Sequence, residues 1–201
     1  MIIAIVNQKG GVAKTTTAVH FAYGLSAQAA TVLVDSDPNR SAMAWAGRAT
    51  SAFPFKVITE LQLLRFQGKF QHIVTDTKAR PSPEDLKVLL EMTDLIVLPS
   101  STSGDDLRVT VDTAQRLKEV GSQNHRVLLT KVPSVKDEKD AREYLQEQSI
   151  PIFKGHIRAY KAYDKAFIEG IPVFQVKRDP NASRAWLDYQ TVIQEVLEEY
   201  S

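Results

Sequence analysis

The residues best suited to chemistry lie between positions 7 and 17, where the sequence reads Asn-Gln-Lys-Gly-Gly-Val-Ala-Lys-Thr-Thr-Thr. Gly10 and Gly11 allow the backbone to fold around an anion, because neither residue has a Cβ that would clash. The amides that open the following helix point at that anion, and the helix dipole favours negative charge there. Lys14 is placed to bridge outer phosphates. The stretch therefore predicts a phosphate-binding loop, whose contact residues are Gly10, Gly11, Val12, Ala13, Lys14, Thr15 and Thr16.

Carboxylates follow two of the predicted strands, at the point where each strand ends. Asp35 and Asp37 come directly after the apolar run Thr31–Val34, and Asp76 closes the run Gln71–Thr75. Ligands of open α/β sheets bind outside the carboxyl ends of the strands. We therefore expect these side chains to lie beside the phosphate loop.

Nucleotide hydrolysis needs a phosphate cradle, a Mg²⁺ ion and an oriented water molecule. Asp76 is expected to hold Mg²⁺ through water, and Thr15 to be its direct protein ligand. Asp35 is expected to support the Mg²⁺ ion without binding it directly. Asp37 is expected to orient or polarise the attacking water. Each aspartate taken alone is more often a turn or helix cap, and for the loop a lysine–glycine turn without a ligand is the alternative.

Strand-like and helix-like segments alternate along the chain. This order predicts one domain over residues 1–201, an α/β fold with a mostly parallel, twisted sheet flanked by helices. The first helix is predicted from Thr15 to about Ala29. Later predictions include a helix over residues 60–69, a short strand over 151–153, an extended stretch over 172–176, and a last helix that Asp179 caps.

Composition limits the classes of function. The chain is 43% hydrophobic and 24% charged, as in ordinary globular proteins, and its formal net charge is +1, so nucleic-acid binding would need a local basic patch. There is no cysteine, which excludes disulfides and thiolate metal sites and suits a reducing cytosol. No apolar stretch approaches the roughly 20 residues that cross a bilayer.

The phosphate loop departs from the general pattern G-x-x-x-x-G-K-[ST], because Ala13 stands where the second glycine is expected. It matches the deviant form K-G-G-x-x-K-[ST] and so resembles the ParA/MinD group of P-loop ATPases. The acidic boxes Asp35-x-Asp37-Pro38 and Asp76-Thr77 also resemble that group. Further similarity in Ile157-Arg158, Gly170-x-Pro172-Val173-Phe174 and Asp188-Tyr189 extends it over nearly the whole chain.

The resemblance implies an ATP- and Mg²⁺-dependent ATPase. In that family the first lysine of the loop reaches the partner's nucleotide, so Lys9 is expected to act across an ATP-dependent sandwich dimer. Lys9, Lys14 and Asp37 are then the catalytic residues. The resemblance also places adenine between two segments, represented here by Thr130, Lys131 and Pro133 and by Pro172, Val173 and Phe174. One departure is Lys78-Ala79-Arg80-Pro81 after Asp76-Thr77, where family members commonly have Pro-Pro-Gly.

ParA-like proteins act on DNA, membranes or protein complexes. The tail from Ala185 carries acids and no Lys or Arg, which disfavours binding to anionic lipid. Basic residues gather before it and predict sequence-independent DNA binding by the dimer; they are Lys154, Arg158, Lys161, Lys165, Lys177 and Arg178, with Arg184 nearby. A solvated, salt-bridged surface is the alternative.

The leading hypothesis is a small, cytoplasmic, nucleoid-associated ParA-type ATPase without the N-terminal DNA-binding domain of larger relatives. It would position a plasmid, a chromosome locus or a carboxysome, with a ParB-like or McdB-like adaptor that stimulates hydrolysis; the McdA-like subtype is one form of this. An ATP-dependent ligase of the dethiobiotin synthetase type is the alternative. A nucleotide-independent scaffold is a third possibility, supported by Ala13 and the altered loop after Asp76.

Overall fold

The computed structural model describes residues 1–66 and 68–200. Its centre is a six-stranded sheet in which all neighbouring strands run parallel, in the order β3-β2-β4-β1-β5-β6. The strands are β1 Ile2–Ile5, β2 Thr31–Asp35, β3 Lys56–Ile58, β4 His72–Asp76, β5 Leu95–Ser100 and β6 His125–Leu129. Strands β2 and β5 are buried along their whole length, because helices cover both faces of the sheet.

Eight helices connect and cover the strands over the described residues. They are α1 Lys14–Ser26, α2 Ser41–Arg48, α3 Glu60–Leu63, α4 Pro83–Met92, α5 Gly104–Glu119, α6 Val135–Glu147, α7 Ala162–Glu169 and α8 Ala182–Tyr200. Residues of α1, α2, α7 and α8 form one large apolar core, and residues of α4, α5 and α6 form a second. The predicted α/β fold with a parallel sheet flanked by helices is confirmed.

Several local predictions are wrong. The predicted helix over 60–69 is one turn of α3 and a 3-10 turn, Leu64–Phe66, and Gln67 lies outside the described residues. Residues 151–153 contribute an isolated bridge, Val127 to Ile152, rather than a strand. The stretch predicted as extended contains the 3-10 helix Val173–Gln175. Short segments such as these take their shape from what they pack on, which local pattern does not encode.

The register of the sheet sets the positions of the acids. Asp35 and Asp76 are direct neighbours on β2 and β4, and Ile5, which precedes the phosphate loop, is the neighbour of Asp76 on the other side. The carboxyl ends of β2, β4 and β1 therefore bring both aspartates to the loop that begins after β1.

Helices α2 and α7 approach each other closely at Gly170, which ends α7 with φ +71°. A Cβ at this position would lie 2.5 Å from the backbone carbon of Arg48, so only glycine fits. Two side chains of α2 bind the same region: the Trp45 indole donates to the carbonyl of Ile171 at 3.2 Å, and Arg48 donates to the carbonyl of Phe167 at 2.7 and 3.0 Å. These contacts tie the two helices together.

Candidate functional site

Two carbonyl groups of the loop between β1 and α1 are bound by lysine side chains. The carbonyl of Lys9 accepts from Lys14 Nζ at 2.9 Å, and that of Gly11 accepts from Lys131 Nζ at 2.7 Å. Among the described residues, the backbone N–H groups of Gly10, Gly11 and residues 13–16 donate to no protein acceptor. A concave set of free amides at a helix N-terminus is an anion-binding nest, as the sequence predicts for a phosphate.

Asn7 fixes the entry to this loop. Its side chain is buried and donates to the carbonyl of Pro99 at 2.7 Å and to Thr110 Oγ1 at 2.9 Å, while its oxygen accepts the backbone N–H of Lys9. The sequence offered no signal for this role beyond an amide side chain at the end of a strand. The loop is therefore anchored to β5 and α5 before any ligand enters.

Ala13 adopts a left-handed backbone conformation, with φ 68° and ψ 29°, immediately before α1. For residues with a Cβ this conformation costs roughly 1–2 kcal/mol, whereas glycine adopts it without penalty. Ala13 replaces the glycine of the general loop pattern, adopts the backbone conformation that glycine favours, and is therefore strained.

Thr15 and Asp76 meet at the end of the loop. The Thr15 hydroxyl donates to Asp76 Oδ2 at 2.7 Å, and Asp76 is fully buried. Burial raises the pKa of Asp76 to about 7; the hydrogen bond from Thr15 lowers it, and the nearby charge of Asp35 raises it. The second oxygen, Oδ1, is buried without a hydrogen-bond partner in the protein.

These residues fit a divalent cation, because a buried carboxylate with one unpaired oxygen needs a positive partner. Oxygen ligands from a hydroxyl and a carboxylate suit Mg²⁺. Thr15 and Asp76 are the residues that would hold it, and the ion would supply positive charge for phosphate oxygens; this role stays a prediction.

Asp35 and Asp37 occupy different positions relative to the cleft. Both oxygens of buried Asp35 accept backbone N–H groups, from Asp37 at 3.2 Å and Met43 at 2.9 Å, so this carboxylate shapes the loop before α2. Asp37 lines the cleft, and its Oδ1 accepts the backbone N–H of Asn39 at 2.8 Å. Its role in orienting water stays a prediction.

An open cleft of about 810 Å³ runs from the phosphate loop to α7 and α8. Its lining includes phosphate-loop residues and Asp37, together with Lys131, residues 157–161 and Tyr163. Lys14 is one of the loop residues in this lining, and burial lowers its pKa while Asp76 and Asp37 raise it. The cleft therefore combines the loop with segments from a different part of the chain.

Residues 3–173 match the family model described as the CobQ/CobB/MinD/ParA nucleotide binding domain. The chain belongs to this family. The "Maintenance of carboxysome distribution protein A" of Gloeobacter kilaueensis is 39% identical over 97% of this chain and 93% of its own length. The fold is similar to MinD of Aquifex aeolicus, with TM-score 0.77, 15% identity and coverage of 100% and 98%. It is also similar to an ATP complex of a Cyanothece McdA variant, with TM-score 0.73, 16% identity and coverage of 98% and 95%. The resemblance predicted from the sequence is confirmed.

Only one of the two segments predicted to surround the base contributes to the described lining of the cleft in this ParA/MinD-family chain. Thr130 and Lys131 border the phosphate loop, and the Thr130 hydroxyl donates to the carbonyl of Val12 at 3.2 Å. Pro133 and residues 172–174 are not among the described residues that line the cleft. Residues 157–161 line it instead, although the sequence marked only Ile157-Arg158 as similar to the family. The base-binding roles remain predictions.

His20 connects helix α1 to the segment that contains Val173. Its ring is fully buried and stacks on Tyr189 at 4.7 Å, with Nε2 accepting the backbone N–H of Val173 at 3.0 Å. Nδ1 therefore carries the proton and donates to the carbonyl of Thr16 at 2.7 Å. Burial lowers the pKa of His20 to about 4, against the opposing effect of the Thr16 bond. This neutral imidazole joins the phosphate-loop helix to the segment around Val173.

The first lysine of the deviant motif is held by an acid of its own chain. Lys9 Nζ lies 3.1 Å from Asp106 Oδ1 near the start of α5, and Ser101 donates to the other Asp106 oxygen at 2.5 Å. Lys9 keeps 40% of its side chain exposed, so it remains accessible from outside the loop.

The predicted DNA-binding residues fall into separate groups. Arg158 and Lys161 line the cleft, and Arg158 pairs with Asp188. Lys165 pairs with Asp179 at 2.7 Å. The others are exposed; they are Lys154, Lys177, Arg178 and Arg184. Within residues 1–66 and 68–200, the structure contains no helix long and apolar enough to cross a membrane.

Proposed function

We propose that this chain is an ATPase of the McdA type, which forms an ATP-dependent sandwich dimer, binds nucleoid DNA without sequence preference and positions carboxysomes through an adaptor protein. The observation that carries the nucleotide part is the Thr15–Asp76 contact beside the nest of free amides, with Asp76 Oδ1 unpaired. The 39% identity to a carboxysome distribution protein over 97% of the chain supports the carboxysome as the proposed cargo.

In the proposed reaction a water molecule attacks the γ-phosphorus of ATP, the bond to the β,γ-bridging oxygen breaks, and ADP and phosphate leave. The free amides and Lys14 hold the β- and γ-phosphates, and Thr15 and Asp76 hold Mg²⁺. Asp37 orients the water from the cleft wall. Lys9 of each subunit reaches the partner's nucleotide and stabilises the charge that develops on the phosphate oxygens, which couples dimerisation to ATP binding.

DNA binding in this proposal belongs to the exposed basic residues, chiefly Lys154, Lys177 and Arg178. They carry no ion pair among the described residues, so they are open to phosphate groups. A dimer would double this surface, and affinity for DNA would fall as salt rises. The adaptor would release the dimer by stimulating hydrolysis.

The deciding experiment measures solution mass and affinity for random-sequence DNA with no nucleotide, ADP and ATP. We expect ATP alone to give a dimer and tight DNA binding. Asp37→Ala should bind ATP and accumulate as a DNA-bound dimer without turnover, whereas Lys14→Ala should lose ATP binding. DNA affinity that is equal in all three nucleotide states would contradict the proposal.

A further inference from the structure

Two residues that directly follow β6 bind the backbone of the phosphate loop. The Thr130 hydroxyl donates to the carbonyl of Val12 at 3.2 Å, and Lys131 Nζ donates to the carbonyl of Gly11 at 2.7 Å. The two carbonyls belong to consecutive peptide groups of the loop, although the donors lie 118 and 120 positions away in the chain. One dipeptide at the end of β6 therefore binds two successive peptide groups of the loop.

Local packing does not fix these peptide groups. A Cβ built at Gly10 or Gly11 would meet no atom within 4 Å, and Gly11 has φ +78°. A peptide group beside a glycine can rotate with little steric hindrance, and this rotation exchanges the directions of its carbonyl and its N–H group. An N–H group directed at a phosphate binds it, whereas a carbonyl in that direction repels it. The donors that hold the carbonyls therefore affect which backbone groups an anion meets.

The two donors are themselves held by the framework of the sheet. Thr130 is fully buried, and its backbone N–H donates to the carbonyl of Ser100 at the end of β5, at 2.7 Å. The N–H of Val132 donates to the carbonyl of Ile157 at 3.0 Å. Lys131 lies between them with φ 52°, a left-handed conformation that is strained for a residue with a Cβ. Such a conformation persists where the surrounding structure holds it.

We propose that Thr130 and Lys131 are positioning residues for phosphate binding, which prevent rotation of the two peptide groups they bind and so keep amides of the loop directed at the phosphates. This rests on the proposed nucleotide-binding function. The N–H of Ala13 belongs to the peptide group whose carbonyl Thr130 binds, and it donates to no acceptor among the described residues. That N–H is therefore available for a phosphate oxygen.

The test compares ATP with inorganic tripolyphosphate, which has the phosphates but no base. Thr130→Val changes no charge and removes the hydroxyl, so we expect both ligands to bind about fivefold more weakly, which is roughly the worth of one hydrogen bond. Lys131→Met should weaken both about tenfold, because a bond from a charged donor is stronger. Thr130→Ser keeps the hydroxyl and should restore the affinity for both ligands.

Lys136→Met is the matched control for the charge that Lys131→Met removes. Lys136 is an exposed lysine on α6 and makes no contact with the loop among the described residues, so both ligands should bind as they do to the unchanged protein. Lys131 is also exposed, so Lys131→Met should fold and keeps the proposal testable if Thr130→Val does not.

Amide NMR signals report on the peptide groups without any ligand. The signal of Ala13 should move in Thr130→Val and that of Val12 in Lys131→Met, because each amide shares a peptide group with the carbonyl that loses its donor. Lys136→Met should leave both signals in place.

Three results would overturn the proposal: unchanged tripolyphosphate affinity in Thr130→Val and Lys131→Met, a loss confined to ATP, or an equal loss in Lys136→Met. A loss confined to ATP would assign the two residues to the base alone. Failure of the proposed function looks different, because ATP would then fail to bind the unchanged protein, or Lys14→Ala would bind it normally.

Discussion

Lys9 and Asp106 form an ion pair within one chain, with 3.1 Å between Nζ and Oδ1. The proposed action of Lys9 in a partner's site requires this contact to break. In the proposed dimer, an ion pair inside the chain would thus be exchanged for a contact between chains, and the strength of the ion pair would oppose dimer formation.

Asp106→Asn should favour the ATP-bound dimer. Exposed ion pairs contribute little, so we expect the dimer dissociation constant to fall roughly threefold. Analytical ultracentrifugation in the presence of ATP would measure this constant. Both proteins would also carry Asp37→Ala, so that ATP is not hydrolysed during the measurement. Asp105→Asn, at an exposed neighbouring acid on α5, is the control and should leave the constant unchanged. An unchanged or weaker dimer in Asp106→Asn would contradict this view of the ion pair.

Ala13→Gly should stabilise the protein, because Ala13 has φ 68° and glycine adopts that conformation without strain. We expect a gain of about 1 kcal/mol and a rise in Tm of about 2–4 °C, read from thermal unfolding. Ala27→Gly at the other end of α1 is the matched control: φ is −73° there, so the same substitution should lower Tm. A loss of stability in Ala13→Gly would mean that the Cβ of Ala13 makes a favourable contact.

Stability without metal should depend on pH through Asp76. Burial raises its pKa from 3.8 to about 7, so between these values the folded state binds more protons than the unfolded state. The contribution of Asp76 to the free energy of unfolding therefore falls as pH rises through that window and is constant above it. Asp76→Asn should remove the dependence, and in EDTA at pH 8 it should be more stable than the unchanged protein.

Two further measurements make the assignment to Asp76 specific. Thr15→Ala removes a hydrogen bond that lowers the pKa of Asp76, so the midpoint of the stability change should move above pH 7. Mg²⁺ with nucleotide should stabilise the unchanged protein and fail to stabilise Asp76→Asn. Identical pH curves for the unchanged protein and Asp76→Asn in EDTA would show that another group titrates.

Features that depend on short spacing, or on where parallel strands end, were predictable from sequence. Gly10, Gly11, Lys14 and Thr15 lie in one loop, and Asp76 reaches Thr15 because parallel strands end at the same edge of the sheet. The left-handed backbone of Ala13 was not predicted, since alanine rarely adopts it. The sequence showed only that a methyl group replaces a hydrogen near the phosphate.

Features that depend on distant contacts were not predictable. Arg158 lies among basic residues in the sequence, and its partner Asp188 is 30 positions away on another helix. His20 fits the apolar pattern of α1 and gives no hint that Val173, 153 positions later, donates to its ring. The sequence also did not predict that Phe174 packs against Tyr23 and Trp186. The role of Val173 and Phe174 at the base stays a prediction.

The close contact at Gly170 has a consequence for how the cleft can open. Helix α2 begins four residues after Asp37, and α7 contributes Tyr163 and Phe167 to the lining of the cleft. Because Gly170 leaves no space between α7 and the backbone of Arg48, a displacement of either helix in this region would press on the other. The contact between α2 and α7 therefore couples the loop that carries Asp37 to the part of the cleft that α7 lines.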